Sequence, residues 1–150
     1  MKYICLGYMD EEVWEKMSES ERNTFADECF AYDDELRKNG NFASGEALQE
    51  SQNATTLRWR SNKVSITDGP FAETKEQLGG IMMLEATDLN HAIRLLSKHP
   101  SLRLGQSGSS WEIRPAADLT AMVEESEQRR QLIPHATHLH RTAAGTRQDH

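Results

Sequence analysis

Asp68-Gly69-Pro70-Phe71-Ala72-Glu73-Thr74-Lys75-Glu76-Gln77-Leu78-Gly79-Gly80 is the stretch around which the chain organises itself. It sets carboxylates, a lysine and a rigid Gly-Pro turn in one polar segment. An apolar run, Gly80 to Ala86, follows directly and reads as a strand. Upstream, Thr55 to Arg60 places Leu57 and Trp59 on one face and Thr56, Arg58 and Arg60 on the other. Ser61-Asn62 is a tight turn into Lys63 to Thr67, where Val64 and Ile66 supply the apolar face. The expectation is a hairpin, a polar loop and then a buried strand.

Further out, Lys2 to Tyr8 is apolar on both faces, as a central strand would be. Ser18 and Glu21 have capping-box spacing. Phe25, Cys29, Tyr32 and Leu36 then recur at helical spacing until Asn39-Gly40, where glycine can take the left-handed conformation that ends a helix. Phe42 to Gln49 reads as a strand. Asp88 caps a second helix carrying Leu89, Ala92, Ile93 and Leu96, with Lys98 and His99 expected in its last turn and Pro100 stopping it. In the last strand Trp111 and Ile113 alternate with Glu112 and Arg114, and Pro115 closes the domain. Residues 116–150 are expected as an extension, an amphipathic or frayed helix to Gln131 and a disordered tail from Pro134 to His150. The resulting class is α+β, with helices too few to cover both faces of a sheet. The second face then needs cover from Trp59, Trp111 or methionines, or from a symmetric partner in a homodimer.

Composition removes several function classes. The net charge of −7 opposes non-specific nucleic-acid binding, which needs a basic field. No apolar run approaches the ~20 residues that span a bilayer. The opening residues turn acidic too early for a signal peptide, so a cytoplasmic protein is expected. Cys5 and Cys29 then read as buried free thiols. No glycine-rich phosphate loop follows a strand and opens a helix, and no cofactor or metal is expected. His135, His138 and His140 read as adventitious metal ligands.

The Asp68–Gly80 run is accompanied, in order, by Gly40-Asn41-Phe42-Ala43-Ser44-Gly45-Glu46-Ala47-Leu48 and Trp111-Glu112-Ile113-Arg114-Pro115. On these stretches the chain resembles the YCII-related, or DGPF-domain, proteins over roughly residues 1–115. The resemblance implies a ferredoxin-like fold pairing as a dimeric α+β barrel, in a bacterial setting often beside alternative sigma factors. Related proteins carry a His–Asp pair, the histidine in the first helix and the aspartate before a proline after the second. Those positions fall on Cys29 and His99 here, so the resemblance does not carry the pair over.

Asp68 is the first candidate, as an orienting carboxylate or general base, set against a role in building the turn. Gly69 and Pro70 shape the loop, and Phe71 is either an apolar wall for a ligand or an anchor to the core. Glu73 and Lys75 are a secondary carboxylate and an anion partner, and Arg58 shares a face with Arg60 suited to a carboxylate or phosphate. His99 can give or take a proton near neutral pH. Two functions follow. One is a small-molecule binder with its cleft near the Asp68–Phe71 loop. The other is a cofactor-free acid–base enzyme, lyase or isomerase in type, using Asp68, His99 and Glu73.

Overall fold

In a computed structural model, residues 1–104 and 108–133 are described. The expected disordered tail, with His135, His138 and His140, and the middle of the Ser101–Ser109 loop lie outside them. The chain divides into two units, Met1–Ala116 and the segment from Ala117 onward.

In the first unit, strand β1 (Lys2–Asp10) leads into a short helix, α1 (Glu11–Lys16), capped by the Asp10 carboxylate. Helix α2 (Glu19–Lys38) opens on the expected capping box and ends at Asn39-Gly40, with Gly40 at φ +76°. Strand β2 (Phe42–Ala47) and a 3-10 turn (Ser51–Asn53) precede β3 (Thr55–Arg60) and β4 (Lys63–Asp68). Strand β5 (Glu76–Glu85), α3 (Leu89–Ser97) and β6 (Ser110–Pro115) complete the unit.

The main sheet has the order β2-β5-β1-β6, every neighbouring pair antiparallel. Cys5 lies opposite Met82 on one side and Ile113 on the other, and Tyr3 lies opposite Leu84. These side chains share a face, and Leu36 of α2 with Ala92 and Leu96 of α3 close the core over it. The opposite face carries Ile4, Leu6, Ile81 and Met83 on the two central strands, all half-buried. The register slips between Gly7 and Tyr8, leaving Gly79 as the extra residue of a β-bulge. Gly7 lets the Trp111 ring pack close there, since a Cβ would stand 3.0 Å from it and the ring would have to give way.

Several boundaries differ from those expected. β2 stops at Ala47 rather than Gln49, and β5 begins at Glu76, so the second half of the Asp68–Gly80 run is strand. β3 and β4 form a separate two-stranded ribbon. Its turn places both Ser61 and Asn62 at positive φ, which matches the twist of the flanking strands. The apolar face of that ribbon points outward. Helix α3 ends at Ser97, and His99 leaves its last turn because it caps the next one, a 3-10 turn over Pro100–Arg103.

In the second unit, helix α4 (Thr120–Gln131) buries none of its residues. Of the two expected forms, amphipathic or frayed, the amphipathic one does not hold: Ala121, Met122 and Val123 are consecutive, and a helix fans neighbours ~100° apart instead of stacking them. Among the described residues, no helix is long and apolar enough to cross a membrane.

Candidate functional site

The stripe of α2 that meets the sheet begins with Phe25 and Cys29 and continues, one turn on, with Asp33. A carboxylate in that stripe needs a partner. His99 supplies it: Nε2 donates to Asp33 Oδ1 at 2.9 Å. With that proton on Nε2, Nδ1 is an acceptor, and it takes the Ser101 hydroxyl proton at 2.7 Å and the Ser101 amide at 3.2 Å. Trp111 Nε1 donates to the same hydroxyl at 2.8 Å. Tyr32 and Trp111 stand edge-on to the imidazole, each with ring centroids 5.6 Å away. His99 is only 4% exposed and the Asp33 side chain 18%, so these bonds form in a medium that strengthens them. The chain Asp33–His99–Ser101 is a hydrogen-bond relay flanked by aromatic rings.

Cys29 lies beside the relay, and burial, with Asp33 and then Glu28 adding to it, pushes its thiol up to about 11. It is a packing residue and not a nucleophile at neutral pH. Burial likewise raises Cys5 to about 11. Both cysteines are free and buried, as expected.

Three cavities adjoin one another, the first two beside α2. One, of about 130 Å³, is lined by Ser101, Trp111 and Leu104 and shares Met9, Phe25 and Gly79 with the next. That second cavity, about 340 Å³, is lined chiefly by apolar groups: Trp14, Phe25, Cys29, Phe30, Leu48 and Leu78. Helix α1 closes it, with Trp14 edge-on to Phe25 at 5.9 Å and Arg22 donating to the Trp14 carbonyl at 3.0 Å. The third, about 710 Å³, shares Leu48, Gln77 and Leu78 with the second and is rimmed by Pro70 and Phe71.

Asp68 ends β4 and is exposed. Gly69, at φ +109°, donates its amide to the Ala54 carbonyl at 2.8 Å and accepts from Thr56 Oγ1 at 2.8 Å. Phe71 is 77% exposed, so it does not anchor the loop to the core. Arg58 instead holds it, donating to the Phe71 carbonyl at 2.6 Å with its guanidinium 5.0 Å from the ring centroid. Gly69, Pro70, Glu73 and Lys75 line a separate open groove of about 630 Å³ with Asp10, Glu11 and Glu12. The structure thus gathers the loop candidates at one end. His99 stands apart from them, with both ring nitrogens committed to Asp33 and Ser101.

Asp33, Ser101 and Gln77 are the residues that sequence reasoning missed. Gln77 Nε2 donates to the Ala72 and Thr74 carbonyls at 3.0 and 2.9 Å and ties the loop to β5. Asp33 had a legible signal, being four residues after Cys29 and so on the same buried stripe. Ser101 had only its proximity to His99.

The sequence model of the YCII-related domain matches residues 1–117 of this chain. An uncharacterised protein of Rhizobium meliloti (strain 1021) is 31% identical over 121 residues, covering 78% of this chain and 93% of that protein. The chain belongs to the YCII-related family.

Proposed function

We propose that this YCII-related chain binds a small, largely apolar molecule in the 340 Å³ cavity between α2 and the β1–β5 bulge, with its polar end toward the Asp68–Phe71 loop. The observation that carries this reading is continuity. One apolar chamber shares a wall with the cavity at Ser101 and another with the groove at Pro70 and Phe71. Its volume lies at the small end of the ~300–1,000 Å³ range usual for ligand sites. Phe71 and Arg58 offer an apolar face and a cation at the outer rim. Gly69 and Pro70 shape the loop, and Asp68, Glu73 and Lys75 offer charges to a ligand's polar end.

A second reading, cofactor-free acid–base catalysis, is favoured by the relay. Asp33 would fix the imidazole and His99 exchange a proton with Ser101, which lines a cavity. Asp68 or Glu73 would join as a second carboxylate for a substrate long enough to span the chamber. As to fold, two interleaved strand–helix–strand units (β1-α2-β2 and β5-α3-β6) in the order β2-β5-β1-β6 support a ferredoxin-like reading. The half-buried apolar face of the sheet supports a homodimer of the α+β barrel kind.

A thermal-shift screen of small carboxylates, phosphate esters and halogenated aromatics tests the ligand site, run on wild type, Ala26→Trp and Asp68→Asn. A ligand at ~100 times its Kd adds about 2.7 kcal/mol of apparent stability. Ala26 lines the chamber, so Ala26→Trp should fill it and abolish the shift, while Asp68→Asn should weaken binding of acid-tolerant ligands least. A screen without hits, or a hit that Ala26→Trp retains, overturns the reading. Conversion of a hit by wild type and not by His99→Gln would decide for catalysis.

A further inference from the structure

The charges around the 340 Å³ chamber have one sign. Among the described residues, Glu11 and Glu50 are the charged side chains in its lining, and no lysine, arginine or histidine joins them. Glu50 also lines the groove at Pro70 and Phe71, where Glu76 is the other charged residue. Glu11 also lines the groove at Gly69 and Glu73, where Asp10, Glu11, Glu12 and Glu73 stand against Lys75 alone. Because each belongs to two cavities, Glu11 and Glu50 mark where the chamber opens outward. The fold brings them together from separate elements: Glu11 Oε2, in the first turn of α1, accepts at 3.1 Å from the amide of Ser51, the residue after Glu50. Neither carboxylate is in an ion pair among the described residues.

Neighbouring cations are committed elsewhere. Arg58 is held by the Phe71 carbonyl and ring. Arg22 lies over the Trp14 ring, 5.2 Å from its centroid, and donates to the Trp14 and Glu15 carbonyls without lining the chamber. Gln77, which lines the chamber and both grooves, adds a neutral acceptor. Its Nε2 donates to two carbonyls, which fixes the orientation of the amide and leaves Oε1 to accept. Inside, Trp14, Phe25 and Phe30 present aromatic surfaces, which suit an apolar body and attract a cation through the negative face of the ring.

We propose that the chamber takes an apolar amine, with its hydrocarbon or aromatic body among Trp14, Phe25 and Leu78 and its protonated nitrogen at the opening beside Glu11, Glu50 and Gln77. The proposal rests on the chamber being a ligand site and names the class of ligand. The apolar chamber makes the site, and the carboxylates set the sign of the charge it accepts. An ammonium group has three N–H donors and no acceptor, which matches an opening that offers two carboxylates and an amide oxygen. A carboxylate or phosphate ester in the same place would bring its charge up to Glu11 and Glu50 with no cation in the lining to offset them. The apolar wall beside them weakens screening and so sharpens that repulsion.

Isothermal titration calorimetry at low salt tests this with matched compounds. Phenyl, indolyl and hexyl bodies each carry an aminoethyl, a hydroxyethyl or a carboxymethyl head. The proteins are full-length wild type, Glu11→Gln/Glu50→Gln and Ala26→Trp, each checked for folding by its far-ultraviolet spectrum. Glutamine keeps an oxygen to accept from the Ser51 amide and from Gln52 Nε2, so the double variant should retain the local structure. In wild type the amine should bind about 10-fold or more tighter than the alcohol on the same body, and the carboxylate weakest. Raising salt to about 0.3 M should weaken the amine and leave the alcohol unchanged. In the double variant the amine should fall to the level of the alcohol, whose Kd should not move. An alcohol or carboxylate that binds wild type as tightly as the amine overturns the amine and leaves the chamber as a ligand site. An amine preference that survives in the double variant does the same. Binding that persists in Ala26→Trp, or its absence throughout the three series, overturns the chamber reading and this inference with it.

Discussion

At Asp33 and His99 the chain buries an ionisable pair where an apolar contact would have been the simpler choice. A buried pair contributes little net stability while intact, yet losing one member leaves the other without its hydrogen bond. Asp33→Ala is expected to lower stability by about 1–3 kcal/mol, the range for an orphaned buried donor, read from the urea midpoint. An unchanged midpoint would mean that water replaces the carboxylate. The Cys29 thiol makes a second prediction. Its ordinary value of 9.0 is raised to about 11 by burial and then by Asp33 and Glu28, so folding favours the protonated form. The associated stability is fully present below pH ~9 and is lost as pH rises toward 11. Cys29→Ala should therefore flatten the fall in urea midpoint between those values, and an undiminished slope would refute the burial effect. Which residues carry chemistry was only partly legible at this scale. His99 could be picked out as an imidazole beside a proline, whereas its partner depended on how α2 is rotated about its axis. That rotation was readable from Phe25, Cys29 and Leu36, but a single aspartate on a helix with many acidic residues looks like solvation.

Elements were read well where local chemistry alone decides them and less well where neighbours decide. Ser18 with Glu21, Asn39-Gly40 and Asp88 mark helix ends through short-range hydrogen bonds or a left-handed glycine, and each occurs as expected. Ser18 Oγ accepts from the Glu21 amide at 3.1 Å and Glu21 Oε1 from the Ser18 amide at 3.3 Å. Ser18→Ala should cost about 1 kcal/mol, measured by chemical denaturation, and Ser18→Asp should restore most of it. Loss in both variants would mean that the packing of Trp14 under Arg22, and not the cap, holds this end. Strand limits were less legible, because β5 extends back to Glu76 only by pairing with Asp10 and Met9. The direction of the ribbon's apolar face was hidden for the same reason. Alternation says that Leu57 and Trp59 share a side with Val64 and Ile66, and nothing local says which side meets the rest of the molecule.

For the whole molecule, the α+β class followed from counting two long helices against a sheet that needs cover on both faces. The family resemblance added the ferredoxin-like and dimeric-barrel expectations, and its signature loop pointed to one end of the cavities without revealing the Asp33–His99–Ser101 hydrogen bonds at the other. The strand order carries a further consequence, for time. β1 holds the first residues of the chain, yet it pairs with β5 and β6, so Lys2 meets Glu85 and Tyr3 meets Pro115. Loop closure over such spans must precede any return from the contacts, and folds dominated by long-range pairing form slowly. During synthesis the opening strand must wait, apolar on both faces, until β5 has emerged, and its other edge stays unpaired until β6 follows. The chain begins with a piece of its core whose partners are made long after it.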